Sequence, residues 1–144
     1  MPEPLPVNVV LADLDAQWNP SNVTEPLFIE VTGANEPIRF DLNRADHVIG
    51  RAGSPAFEEE PIGNWKYGNR TYNIELELYT RQGRQRLYDI MAEIRRLCHS
   101  RMHSLTNFQR QEFVEFEEET QEQANVWVGT ISIELVNNAV LLET

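Results

Sequence analysis

The residues whose types could do chemistry fall within one stretch. Cys98, His99 and His103 lie inside TRQGRQRLYDIMAEIRRLCHSRMHSLTNFQ, residues Thr80 to Gln109. A thiol beside an imidazole is the raw material of a nucleophile and its base. Two histidines four apart have the spacing of metal ligands on a helix. Neither reading holds against the pattern around it. Sequence neighbours on a helix point about 100° apart, so Cys98 and His99 do not face each other. Cys98 falls on an apolar stripe, where a free cysteine behaves as a small hydrophobe. His99 and His103 lack an HExxH frame and a third ligand at matching spacing. The acidic pairs sit on the expected solvated faces of strands, away from the burial that would raise their pKa values. There is no phosphate loop, no GxGxxG and no GxSxG. The expectation is a chain with no catalytic residue, no metal site and no cofactor, which is not an enzyme.

The arginines are the second candidate. Residues 81–111 hold seven of the eleven arginines and only Asp89 and Glu93 as acids, a local charge of +5. The whole chain is at −11, and residues 112–144 carry eight acids and no basic side chain. A protein this acidic is repelled by nucleic-acid phosphates unless one face is locally basic. A nucleic-acid site would also call for lysines and stacking aromatics among the arginines. Only Tyr88 is near. A positive segment followed by a negative one also suits a head-to-tail contact between identical subunits. On that reading the contact residues are Arg84, Arg95, Arg96 and Arg101 on one side and Glu115, Glu117 and Glu119 on the other. The plainer alternative stays open: the arginines solvate their helix and pair locally with Asp89 and Glu93.

Elements must position these groups. From Arg84 to about Arg101 the period is 3.6, with Leu87, Ile90, Met91, Ile94, Leu97 and Cys98 on one stripe. Before it, Tyr72–Tyr79 alternates, with Tyr72, Ile74, Leu76 and Leu78 on one face. After it, Gln111–Glu119 and Val126–Val136 read as a hairpin turning through Thr120–Asn125. Gly129 in the last strand marks a bulge or a close packing point against the helix. At the start, Val7, Val10, Leu11, Leu14 and Trp18 predict a short helix, with Pro6 at its first position and Asn19-Pro20 as the stop. Short strands are expected at Leu27–Val31, Ile38–Leu42 and Asp46–Arg51, with a turn at Thr32–Asn35. The fold class is α+β: a small antiparallel or mixed sheet with a central amphipathic helix on one face and a short N-terminal helix.

Ala52–Arg70, AGSPAFEEEPIGNWKYGNR, is rich in Gly, Pro and Asn, and reads as a long loop. It carries Phe57, Trp65 and Tyr67, either as an interface that orders on assembly or as aromatics tucked back on the sheet. Asn137-Asn138 is expected to end the last strand. Ala139–Thr144 then forms an apolar tail that docks on this subunit or a neighbour. A length of 144 residues suits a single domain. No apolar run is long enough to span a membrane, and the N-terminus lacks the pattern of a secretory signal. One cysteine excludes an internal disulfide and fits a reducing compartment.

The order of elements carries a resemblance. A helix ends in Leu14-Asp15-Ala16-Gln17-Trp18-Asn19, and a short strand begins at Asp46-His47-Val48-Ile49. The strand from Tyr72 to Arg81 leads into a helix containing Leu87-Tyr88-Asp89-Ile90 and Glu93-Ile94-Arg95-Arg96-Leu97, then a hairpin. This resembles the tail-terminator, or tail-completion, proteins of long-tailed prokaryotic viruses, including those of archaea. The resemblance implies a structural virion protein, assembled in the host cytoplasm, whose copies form a homohexameric ring at the head-proximal end of the tail. Its partners would be the tail tube protein and the neck or connector protein. DNA would pass through the lumen without specific binding. On this reading the acidic strands line the channel, the arginines join subunits, and Phe57, Trp65 and Tyr67 reach an adjacent ring. The alternatives are a neck or head-tail adaptor protein of the same virion, or a nucleic-acid-binding domain using residues 81–110.

Overall fold

The computed structural model describes residues 5–30, 46–63, 66–119 and 125–141. Among them are two helices and five strands, in the order α1 (Pro6–Gln17), β1 (Leu27–Glu30), β2 (His47–Ile62), β3 (Tyr67–Thr80), α2 (Arg84–Ser100), β4 (Arg110–Glu118) and β5 (Trp127–Leu141). The strands make one sheet, ordered β1-β2-β3-β5-β4. The β1–β2 pair is parallel and the other pairs are antiparallel. The expected α+β class, with a mixed sheet, one long amphipathic helix and a short N-terminal one, is what the chain adopts.

Register sets which residues meet the helices. Leu78 pairs with Val48 and Gly129, Leu76 with Gly50 and Ile131, and Ile74 with Ala52 and Ile133. This face packs against α1 and α2. Leu87, Ile90, Ile94, Leu97 and Cys98 of α2 and Val7, Val10, Leu11 and Leu14 of α1 are buried there. Burying each of the larger side chains contributes on the order of 1.5–3 kcal/mol. α1 lies directly on β2. A Cβ added at Gly50 would come within 2.6 Å of Val7 Cγ2 and 2.7 Å of Leu11 Cδ1. Gly129 is also a close-approach point, but what approaches is the Phe116 ring on β4, which leaves no room for a Cβ. The expected contact with the helix is therefore indirect: Phe116 in turn meets Tyr88 of α2 edge-on, with ring centres 5.4 Å apart.

Three expectations are corrected. Ala52–Arg70 is no long loop: β2 runs on to Ile62 and β3 starts at Tyr67. Glycine and proline in this stretch signalled a loop, yet both are tolerated in an edge strand with an irregularity. β1 pairs with His47–Gly50, so among the described residues the rest of β2 is an edge, and its register with β3 shifts between Ala52 and Phe57. Ribbon pairing is reinforced by Arg70–Glu59 at 3.0 Å and by the Phe57 and Tyr72 rings, with centres 4.9 Å apart. Second, Asn137-Asn138 does not end the last strand. Val140 and Leu141 continue β5 opposite Gly68 and Tyr67. The Asn137 side chain bonds neighbouring backbone instead: its Oδ1 accepts from Gln109 N at 2.7 Å and its Nδ2 donates to Asn107 O at 2.9 Å. Third, the tail expected over Ala139–Thr144 is therefore sheet through Leu141. The strand expected at Ile38–Leu42, the turn at Thr32–Asn35, Trp65 and most of the turn at Thr120–Asn125 lie outside the described residues.

Candidate interaction surfaces

The helix layer holds the arginines, and most of them are engaged within the chain. Arg84, more than half exposed at the start of α2, donates from Nε to both carboxylate oxygens of Glu118, at 3.1 and 3.2 Å. Arg96 forks onto Glu93 at 2.6 and 2.8 Å. Arg101 reaches back to Asp13 of α1 at 2.8 Å. Arg95 is exposed, with no ion pair among the described residues. The surface pairs contribute about 0–1 kcal/mol each. They also neutralise charge that the sequence pattern offered to a neighbour. Local pairing, foreseen as the plainer alternative for Glu93, accounts for Arg96.

Two carboxylates in this layer are buried and organise what surrounds them. Asp46 accepts from Thr80 Oγ1 at 2.6 Å, Gln82 Nε2 at 3.2 Å and Arg86 Nε at 2.6 Å, while Arg86 Nη2 donates to Thr24 O at 2.7 Å. This joins the start of β2, the end of β3, the first turn of α2 and the segment before β1. Glu93 also accepts from Asn19 N at 3.3 Å, which ties the exit of α1 to the middle of α2. The Arg96 guanidinium, and more weakly the Asn19 amide, hold the Glu93 carboxyl below its ordinary value of 4.5 despite burial. A depressed carboxylate stabilises the fold above the unfolded-state value and loses that contribution as pH falls through the lower folded value. Acid titration of wild type and Glu93→Gln should therefore show the wild type more stable at neutral pH. Its advantage should shrink as pH drops below about 4.5. A constant gap down to strongly acid pH would refute the assignment.

Cys98 is buried among core side chains. Burial, with Asp13 nearby, pushes its thiol up to about 12. It should resist a thiol reagent at neutral pH until the chain unfolds, which a labelling time course in native buffer and in denaturant would show. His99 and His103 are both exposed, and the described residues contain no cluster of three metal-ligating side chains. No described helix is long and apolar enough to cross a membrane.

The opposite face of the sheet carries no described helix. Ladder register places Glu75 and Glu77 of β3, Ser132 and Thr130 of β5, and Glu115 and Glu117 of β4 in neighbouring rows on it. Glu112 and Glu134 pair directly there, and Glu119 follows opposite Val128. Arg51 answers part of this charge, reaching Glu75 at 3.2 Å and Glu77 at 2.6 Å. Tyr79 donates a short hydrogen bond to Glu77. Burial first, then that bond, push its phenol up to about 12. The sequence-predicted acids Glu115, Glu117 and Glu119 thus lie on one open face, and the predicted arginines lie in the helix layer behind the sheet. What sequence reasoning missed is that Asp13, Asp46 and Glu118 are partners of the arginines. Asp46 and Arg86 are 40 positions apart, and no local pattern links them.

A third surface is the far end of the β2–β3 ribbon. Ile62 and Tyr67 are exposed there, and Phe57 is exposed nearer the base of the ribbon, as is Leu5 just before α1. An apolar hollow of about 350 Å³ lies at the ribbon's base, lined by Leu5, Ala52, Ala56, Phe57 and Tyr72 among others.

No family model matches the sequence, and no curated protein matches it. Among solved structures, a chain from the virion of a native gene transfer agent particle has the same fold. The match has a TM-score of 0.60 and covers 94% of this chain and 96% of that one, at 10% sequence identity. At that identity the likeness is one of fold alone, and it extends over nearly the whole of both chains.

Proposed function

We propose that this chain is a non-catalytic structural protein of a tailed virus or virus-like particle. Its copies form a homo-oligomeric ring that closes the head-proximal end of the tail tube and joins it to the neck. The observation that carries this reading is the end-to-end likeness of fold to a chain of a gene transfer agent virion. The order of elements that resembles tail terminators points the same way. The open acidic face has a physical role in such a ring. Turned to the lumen, its carboxylates repel the phosphate backbone and let DNA slide without binding. A nucleic-acid-binding domain is the weaker reading, because Arg84, Arg86, Arg96 and Arg101 are already paired with carboxylates of the same chain.

Electron microscopy of tail tubes assembled with and without the purified protein tests this directly. The expected result is one added ring at one end of each tube, with tube length fixed in its presence. A ring layer found only on the portal side would assign the chain to the neck instead. No density on tubes or necks would refute both.

A further inference from the structure

We propose that the β2–β3 ribbon is the joint between copies. The outer face of its tip in one copy seats in the apolar hollow at the ribbon's base in the next. This rests on the ring reading above, and it names the contact that would build the ring.

The hollow forms where the helix layer runs out. α1 begins at Pro6, with Val7 sitting over Gly50. Beyond that point Leu5 and Pro6 lie beside the inner face of the ribbon, and the Phe108 ring meets Tyr72 edge-on, with centres 5.6 Å apart. A second hollow of about 200 Å³ flanks the other side of Tyr72 and shares Leu5 and Pro6 with the first. The polar groups in the larger hollow are committed elsewhere. Asn73 Nδ2 donates to Pro55 O at 2.8 Å, and Arg51 is held by Glu75 and Glu77. A polar small molecule finds nothing there to orient it, whereas an apolar side chain finds a fitting surface. The volume takes one or two bulky side chains.

The chain itself carries the matching plug. Ile62 and Tyr67 are cross-strand partners at the ribbon's end, 45% and 50% exposed. Alternation puts them on the face opposite Phe57 and Tyr72, which line the hollow. They cannot reach their own hollow. Five residues of strand, about 17 Å, separate Tyr67 from Tyr72, and Tyr67 is held in the ladder by its pairing with both Ile62 and Leu141. A plug and a socket on opposite faces of one ribbon define a heterologous contact, which closes into a ring or runs on as a filament. Charge agrees with the assignment. Glu58 and Glu60 share the plug's face. The socket is bordered by the start of α1, which has no acidic residue in its first turn and no side-chain cap. One repeated contact covers both of these exposed apolar patches in every copy. It also differs from the expectation that Phe57 and Tyr67 face an adjacent ring.

Cysteine cross-linking of the full chain carrying both Tyr67→Cys and Ala56→Cys tests this, with the buried Cys98 as a silent background. Under a mild oxidant the doubly substituted protein should form a ladder of covalent multimers, and neither single variant should. Tyr67→Asp and Phe57→Asp should each weaken self-association roughly tenfold or more. Mixed together they should give a dimer and nothing larger, since one good plug and one good socket remain. Light scattering that shows oligomers without any 67–56 bond would overturn the joint and leave the ring reading intact. Cross-linking of Tyr67→Cys to itself alone would mean an isologous contact and overturn it too. If Tyr67→Asp abolishes tube binding with self-association unchanged, the occupant is the tube protein and the proposal is wrong. A chain that stays monomeric even on tail tubes would remove both the joint and the ring.

Discussion

Asp46→Ala should lower stability by about 3–5 kcal/mol, the usual cost of leaving one partner of a buried ion pair alone. Arg86 is largely buried, and Asp46 is almost wholly so. With the carboxylate gone, the guanidinium keeps one backbone acceptor, Thr24 O, and Thr80 Oγ1 and Gln82 Nε2 lose theirs. For a chain of this size the loss amounts to a fall in melting temperature of about 10–20 °C. The double variant Asp46→Ala with Arg86→Met should be more stable than Asp46→Ala alone, because the stranded charge is removed. Urea unfolding of the three variants checks both statements. A double variant as unstable as the sum of the singles would show that the pair is not the unit.

This network is also the clearest case of what sequence could not show. The span and apolar face of α2 were legible, because the stripe Leu87, Ile90, Ile94, Leu97, Cys98 recurs at one period and is its main packing contact; the burial of Glu93 was not. β3 was legible because one of its faces is buried and the other is not. Asp46, by contrast, is one acid in a loop-strand junction. It becomes the hub only because the β2–β3 ladder brings it beside Thr80 and the turn that follows puts Arg86 over it. Nothing in a window of ten or fifteen residues records that. The same holds for Asp13 with Arg101, 88 positions apart.

The ribbon was misread for a different reason. Its distal half gains little from burial, so the hydrophobic alternation that marks β3 is missing from AGSPAFEEEPI. Strand geometry there comes from pairing with β3, not from an apolar face. Proline and a run of glutamates are features that keep an edge strand from pairing further. In one dimension those residues are indistinguishable from a loop. Charge was half legible. The segregation of arginines to the helix and glutamates to the last hairpin is real, and the two sets do occupy opposite layers. But Glu118 alternates onto the helix side of β4 and takes up Arg84, so the positive layer is closer to neutral than the sequence suggests. The acidic face keeps most of its charge.

Ile90→Ala should cost towards the upper part of the roughly 2–5 kcal/mol range for such truncations, and the reason is the clamping of α2. The cost of a core truncation depends on how far the walls can collapse into the space. Ile90 is fully buried at the middle of the helix. Below it lies a sheet whose central strands are paired on both sides. Above it, α2 is pinned near its start by Arg86 to Asp46, at its middle by Glu93 to the Asn19 amide, and just past its end by Arg101 to Asp13. A helix held at both ends cannot sink into the gap, so the cavity persists. Met91→Ala, at the half-buried margin of the same stripe, should cost distinctly less. In an Asp46→Ala background the first anchor is released and α2 can settle. Ile90→Ala should then cost less than it does in the wild type, a coupling of about 0.5–3 kcal/mol. Simple additivity of the two changes in urea unfolding would show that the anchors do not hold the helix off the sheet.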